Sequence, residues 1–478
     1  MTTTPLYLHI ASELQARLDN GEFPPGCRLP SLRTLAQHYR VNVLTVLAAY
    51  RQLEQQQRVV ARPRAGFYAA LPGASSRQTQ TPAVPLPSPA AWVNVSSRMS
   101  TLIQLSSSAI QYQLHMAEAV SELYPTQELA QQLQQALLRQ PTLIDTHLSP
   151  QDQQHLHREI ARLAASWQLE LAENQILVTH GITEAISLAL RHLTRPGDTV
   201  AVETPVYFGL LQTLESLGLK ALEIPCTPDS GLSLEALEFA LRHGPAVKCL
   251  VCVPNFQNPT GALMPDEHKK RLLALARRHG VTVIEDDVFG DLYFGQQRPT
   301  PLKAWDRDGD VIYCASFTKS FAPAFRLGWL SGGRHHAALT RLRDSSSLAA
   351  SSLLQRVLAD ALTSGEYARR SARLRQQLAQ QMQQLADAVL AAFPHGTQVR
   401  RPQGGMLLWV QGPEALDSNQ LLQRALQQSI SFAPGVVFSA EPRFNHCLRL
   451  KFGQPWSPGL ADAIATLGRL AREQLAGA

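Results

Sequence analysis

The stretch Ser316-Phe-Thr-Lys-Ser-Phe-Ala-Pro-Ala-Phe-Arg-Leu-Gly-Trp-Leu330 decides how this chain is read. Lys319 sits among small and hydroxylic residues, and Arg326 follows inside an apolar run. A lysine so placed can form an imine with an aldehyde once its pKa and position are fixed. Ser316 and Arg326 can make charge-assisted bonds to a phosphate, the arginine through its planar fork. Aldehyde plus phosphate describes pyridoxal 5'-phosphate (PLP). A lysine in such a stretch is by itself an ordinary surface residue, so the assignment depends on partners elsewhere in the chain.

Those partners recur at the ends of apolar runs. Thr179-His-Gly-Ile-Thr-Glu-Ala185 follows a strand pattern and opens a helix, so Gly181, Ile182 and Thr183 would turn backbone N–H groups toward the same phosphate. Asp286, in Ile284-Glu-Asp-Asp-Val288, can pair with a pyridinium nitrogen and keep the ring an electron sink. Asn258, in the turn Asn258-Pro-Thr-Gly261, can donate to the ring's phenolic oxygen. Tyr207 can stack on the ring face. Arg449, in Leu448-Arg-Leu-Lys-Phe452, is an arginine within an apolar strand and needs an anion, for which an α-carboxylate serves. Taken singly, these are a turn, an acidic strand end, a core tyrosine and a buried cation. Their joint occurrence is what carries the argument.

The chain has 478 residues, too long for one ordinary core. Its 45% hydrophobic and 17% charged content suits a globular protein. No run is apolar and long enough to span a bilayer and no leader pattern opens the chain, so a cytoplasmic location is expected. The six cysteines are scattered, and Cys249 and Cys252 lie within a strand-like run with no second ligand pair nearby. Reduced core thiols are therefore expected, and no metal.

Charge is concentrated at one end. Residues 1–70 hold arginines 17, 28, 33, 40, 51, 58, 62 and 64 against Glu13, Asp19, Glu22 and Glu54, a net +4 of the chain's +6. A basic head suggests an anionic partner. Apolar spacing predicts a helix over 6–20, ended by Asn20-Gly21, a short one behind the N-cap Ser31, and another over about 44–56. Two short strands around a basic turn follow at 58–68. That order is a winged helix-turn-helix. Asn42 and Thr45 would lie on the recognition helix, Ser31 and Arg33 at the start of the helix before it, and Arg62, Arg64 and Gly66 on the wing, all DNA-binding candidates. Residues 71–100, rich in Pro, Ser, Thr and Ala, read as a linker. Residues 101–478 alternate strand and helix patterns, with strands at 176–178, 199–202, 247–253, 281–284 and 311–313. That predicts an α/β domain with a largely parallel sheet. A long helical stretch over 349–390 and a smaller α+β tail complete it.

The head resembles the GntR-type winged helix through Pro5-Leu-Tyr, Pro25-Gly-Cys-Arg-Leu-Pro-Ser-Leu-Arg33, Thr45-Val46, Ala49-Tyr50 and Leu53-Glu54. It departs at Asn42-Val43, where the family has serine then arginine. The body resembles fold-type I PLP-dependent aminotransferases through Thr183, Tyr207, Asn258-Pro-Thr-Gly261, Asp286, Ser316-x-x-Lys319, Arg326 and Arg449. It departs at Val288 and Phe289, where the family has a tyrosine that donates to the ring's phenolic oxygen. It departs again in residues 149–157, which lack the family's glycine and arginine before a helix. Head, linker and body together resemble the MocR family of PLP-dependent transcriptional regulators. The resemblance implies a homodimer that binds a double-stranded DNA operator and senses PLP or an amino-acid-like effector through an internal aldimine at Lys319. The alternative it leaves open is a working aminotransferase acting on an amino acid and a 2-oxo acid, with the head secondary.

Overall fold

A computed structural model describes residues 6–56, 58–62, 66–70, 87–96, 110–227 and 229–477, with nothing stated of the side chains of 55 and 62. Arg64 and the proline-rich stretch 71–86 therefore lie outside the described residues.

The head is α1 (Leu6–Asp19), α2 (Leu32–Tyr39), α3 (Val43–Gln55) and an antiparallel wing of β1 (Val59–Arg62) and β2 (Gly66–Ala69). Each start has a local cause. The Ser31 hydroxyl accepts the Thr34 N–H, and Asn42 Oδ1 accepts the Leu44 N–H at 2.9 Å. One face of α3 (Val46, Ala49, Tyr50 and Leu53) packs with Ile10, Leu14 and Leu35 into the head's own core. Its other face is also covered: Leu44 and Leu47 are buried in one apolar cluster with residues of the helix Leu234–His243 in the body. Burying each of those leucines contributes about 2 kcal/mol.

The body's main sheet runs β3 (Ala91–Trp92), β7 (Lys220–Thr227), β6 (Thr199–Thr204), β9 (Val247–Cys252), β10 (Thr282–Asp286), β11 (Val311–Ser316), β12 (Gly328–Ser331) and β5 (Leu177–Thr179), with β8 (Gly231–Leu232) paired to β7. Strands β7, β6, β9, β10 and β11 are mutually parallel, and β12 and β3 run antiparallel to their neighbours. Helices cover both faces, which is why these strands read as continuous apolar runs rather than alternating ones. Cys249 and Cys252 are buried free thiols in β9. A smaller sheet orders β13 (Gln398–Val399), β14 (Leu407–Gln411), β17 (Cys447–Lys451) and β16 (Ala433–Pro434), while β4 (Tyr112–Gln113) runs parallel to β15 (Ile430–Ser431).

Three details differ from the sequence expectation. The helical stretch over 349–390 is two helices, Ser352–Thr363 and Glu366–Ala392, because Gly365 takes a left-handed φ of 70° between them. Residues 149–157 open the helix Pro150–Ala165, with the Ser149 hydroxyl capping it through the Asp152 N–H. The end of the stretch read as linker is fixed to the body: Ala91–Trp92 form the edge strand β3, and Val93 and Val95 are buried. Glu215 Oε2 then accepts from the Val95 N–H, the Ser96 N–H and the Ser96 hydroxyl. No helix of the described residues is long and apolar enough to cross a membrane.

Glu215→Ala removes that triple acceptor, so residues 93–96 should become a new cleavage site for a nonspecific protease while the body stays resistant. Mass spectrometry of the early fragments checks this.

Candidate functional site

The predicted cofactor residues converge where the parallel strands end, the place where open α/β sheets bind ligands. Gly181 follows β5 and is the N-cap of the helix Ile182–Leu193, with a φ of 81° that favours glycine. A Cβ on Gly181 would stand 3.2 Å from Arg326 Nη2, so the helix N-terminus and the guanidinium face each other across a gap that fits no side chain. Arg326 itself holds a left-handed φ of 51°, an uncommon conformation for a residue with a Cβ, and has no acidic partner among the described residues. Gly328 completes this cradle, since a Cβ there would meet the Gly181 carbonyl carbon at 2.6 Å. Ile182 and Thr183 supply the next N–H groups of the helix start. Ser316 lies in the cradle but its hydroxyl closes its own turn, donating to the Leu327 carbonyl and accepting the Thr318 N–H, both at 3.1 Å. A phosphate would have to replace the first of these bonds.

Asp286 ends β10, is 8% exposed, and accepts the Val288 N–H at 3.1 Å. Burial pushes its carboxyl up to about 7, with Lys319 acting in the opposite direction. A cationic ring nitrogen would draw the proton off. Its neighbour Asp287 turns the other way and anchors the strand end, accepting from Asn255 Nδ2, Arg298 Nη2 and the Tyr313 hydroxyl. Phe289 is in the core and Val288 packs on it, so no hydroxyl reaches the site from these two positions. Tyr207 folds over Gly209, where a Cβ would lie 2.5 Å from its ring.

Arg449 is fully buried on β17. Its Nη1 donates to Asn258 Oδ1 at 3.0 Å and its Nη2 to the His115 carbonyl, while Nε has no partner. No carboxylate of the described residues pairs with it, and burial pulls the guanidinium down to about 10. A cation held by neutral acceptors, with a donor to spare, fits an anionic ligand.

Lys319 follows β11. Burial pulls its ammonium below the usual lysine range, and Glu118, whose Oε1 accepts from Nζ at 3.1 Å, opposes that fall. Nothing in the sequence pointed to Glu118, because it lies in an irregular segment 201 residues away. The same segment carries His115, whose Nδ1 lies 2.7 Å from Ser431 Oγ and whose pKa burial lowers to about 4. Lys451 was legible by alternation, two residues beyond Arg449 on the same strand face. Burial lowers its pKa to about 8.

Among the head's candidates Ser31, Arg33 and Gly66 are exposed, whereas the helix α3 candidates are partly covered. Asn42 is committed to capping α3, and Thr45 is half-buried. Ser31, Arg33 and Gly66 line a cavity of about 280 Å³ whose opposite wall includes Phe239 and His243 of the body. Arg62 ends β1.

Residues 114–455 match the family profile "aminotransferase class I and II", and residues 6–69 match "bacterial regulatory proteins, gntR family". The uncharacterised HTH-type transcriptional regulator YdcR of Escherichia coli K12 is 35% identical over 98% of this chain and 99% of its own length. YjiR of the same organism, also an uncharacterised HTH-type transcriptional regulator, is 34% identical over 97% and 98%. Among solved structures, LysN, an α-aminoadipate aminotransferase of Thermus thermophilus complexed with N-(5'-phosphopyridoxyl)-L-leucine, superposes with a TM-score of 0.73 at 27% identity. The match covers 79% of this chain and 96% of that one.

Two substitutions probe the site. Glu118→Gln removes the group that supports the Lys319 ammonium, so the midpoint for labelling Lys319 with an amine reagent in the cofactor-free chain should move to lower pH. Gly328→Ala forces β12 away from the Gly181 turn. It should cost about 1–3 kcal/mol of stability and weaken binding of inorganic phosphate, read by thermal unfolding with and without phosphate.

Proposed function

The chain belongs to the aminotransferase class I and II family and carries a gntR-family head, the fusion of the MocR-type regulators; on that premise we propose that it is a PLP-dependent transcriptional regulator responsive to an amino-acid-like effector. The observation that supports this most is Arg449, a buried guanidinium without a carboxylate partner among the described residues, set beside the Lys319 site in a chain with a winged-helix head.

When bound, PLP supplies an aldehyde that condenses with amines and a ring that accepts electrons. The chain's residues hold and tune it. Arg326 and the N–H groups of Gly181, Ile182 and Thr183 take the phosphate, with Ser316 joining on release of the Leu327 carbonyl. Asp286 takes the ring nitrogen, Asn258 the phenolic oxygen and Tyr207 the ring face. Lys319 must react as a neutral amine. Its depressed pKa makes that form more populated near neutrality than in an ordinary lysine, and the neutral fraction rises with pH. Glu118, which accepts a hydrogen bond from Lys319 Nζ, favours the ammonium and so limits that neutral fraction. Arg449 takes the effector's carboxylate. With phenylalanine at 289 and valine at 288, the phenolic oxygen has one donor fewer, which favours a ligand-responsive site over rapid turnover.

The head reaches phosphates through Arg33, Arg62, Arg64 and the Gly66 backbone, with Ser31 and Thr45 nearby. An effector acts by preferring one arrangement of head and body over another, and its influence on DNA is bounded by that preference. The working unit is a cytoplasmic homodimer on a double-stranded operator.

Adding PLP to the cofactor-free chain should produce an absorbance band near the visible edge that Lys319→Ala lacks. A panel of amino acids should perturb the band, and Arg449→Ala should lose the carboxylate-dependent response while keeping the band. A band absent from the unaltered chain sinks the cofactor assignment. Steady turnover of an amino acid with a 2-oxo acid, with no effect of either on DNA binding, makes the chain an aminotransferase instead.

A further inference from the structure

Helix α3 has two occupied faces. The inner face builds the head's core through Val46, Ala49, Tyr50 and Leu53. The outer face carries no charge from Val43 through Tyr50, and Leu44 and Leu47 are 0% and 2% exposed. They belong to one buried apolar cluster with residues of the helix Leu234–His243, against which Leu32 and Phe67 of the head and Phe239 of the body pack. Contact is close: a Cβ on Gly244, just past that helix, would stand 3.2 Å from Leu44 Cδ1. A leucine on the solvent side of a small domain is a liability unless something covers it, and here the body does.

Two helices packed side against side lie about 8–10 Å apart. A major groove about 12 Å wide receives a helix between two phosphate ridges. Both cannot surround the outer face of α3 at once. At the rim, Ser31, Arg33 and Gly66 stay exposed but share a cavity with Phe239 and His243 of the body.

We infer that the seat of α3 on the helix Leu234–His243 is an intramolecular latch that excludes DNA, so that the head binds a duplex only after leaving the body. This rests on the reading of the head as DNA-binding. The seat is incomplete, since a cavity of about 280 Å³ remains beside it, and two arginines, Arg28 and Arg33, line that cavity without an acidic residue among its lining.

Phe239→Asp weakens the apolar seat, and His243→Glu places a carboxylate in the cavity with Arg28 and Arg33. Neither residue belongs to the cofactor site, so the Lys319-dependent PLP band reports that the body of each variant is intact. Binding is read by fluorescence anisotropy with two labelled duplexes, one of mixed sequence and one from the region upstream of the chain's own gene. Phe239→Asp should tighten binding by about fivefold or more, the lower end of usual site-to-site coupling, and His243→Glu should weaken it. Equal affinity in all three proteins overturns the latch and leaves the DNA-binding reading standing. No binding by any of them, Phe239→Asp included, removes the DNA-binding reading and the latch with it.

Discussion

A buried arginine without a counter-charge constrains the rest of the body. Arg449 is held by a side-chain amide from the turn after β9 and by the carbonyl of His115 in the segment before the first body helix. One guanidinium thus ties three parts of the chain that are far apart in sequence. Neutral acceptors lower the cost of burial without cancelling the charge. The pocket therefore carries a standing demand for an anion, and the strand that bears Arg449 sits in the smaller sheet so that the demand faces the ends of the larger one.

The acidic groups are divided by the same logic. In Glu285-Asp286-Asp287, Asp286 faces the site, whereas Asp287 is fully satisfied by Asn255, Arg298 and Tyr313. Glu285 accepts the Leu302 and Lys303 N–H groups. Strand alternation turns the middle carboxyl away from its two neighbours, and those two anchors fix where Asp286 can sit. Glu118 is the exception, partly exposed and aimed at Lys319 from a segment with no regular structure.

Much of this was legible in the sequence. The strands β6, β9, β10 and β11 are buried on both faces, so their apolar runs stand out, and the residues that follow them were assigned to the site for that reason. Gly181, Asp286 and Asn258 were proposed because each follows a strand-like run, and Arg326 because it follows Lys319 inside an apolar run. Glu118 was not, because a single carboxylate in an irregular stretch has no period to betray its partner. The split at Gly365 was missed because apolar spacing continues on both sides of it. The covered outer face of α3 was not read from the sequence, because apolar residues on both faces of a short helix do not say which face meets the head's own core and which meets the body. The resemblance of the head did flag the spot, at Asn42-Val43.

The composition of α3 also limits how a sequence of bases can be told from another. Asn42 is occupied as a cap, and apart from the buried Tyr50, Thr45 is the helix's one polar side chain before Arg51, so few groups are left to pair with base edges. In the proposed DNA-bound dimer, discrimination would fall to the bendability and groove width of the duplex and to the separation of two half-sites. Were the head to bind a duplex as proposed, its targets would tolerate single base changes and not inserted or deleted base pairs.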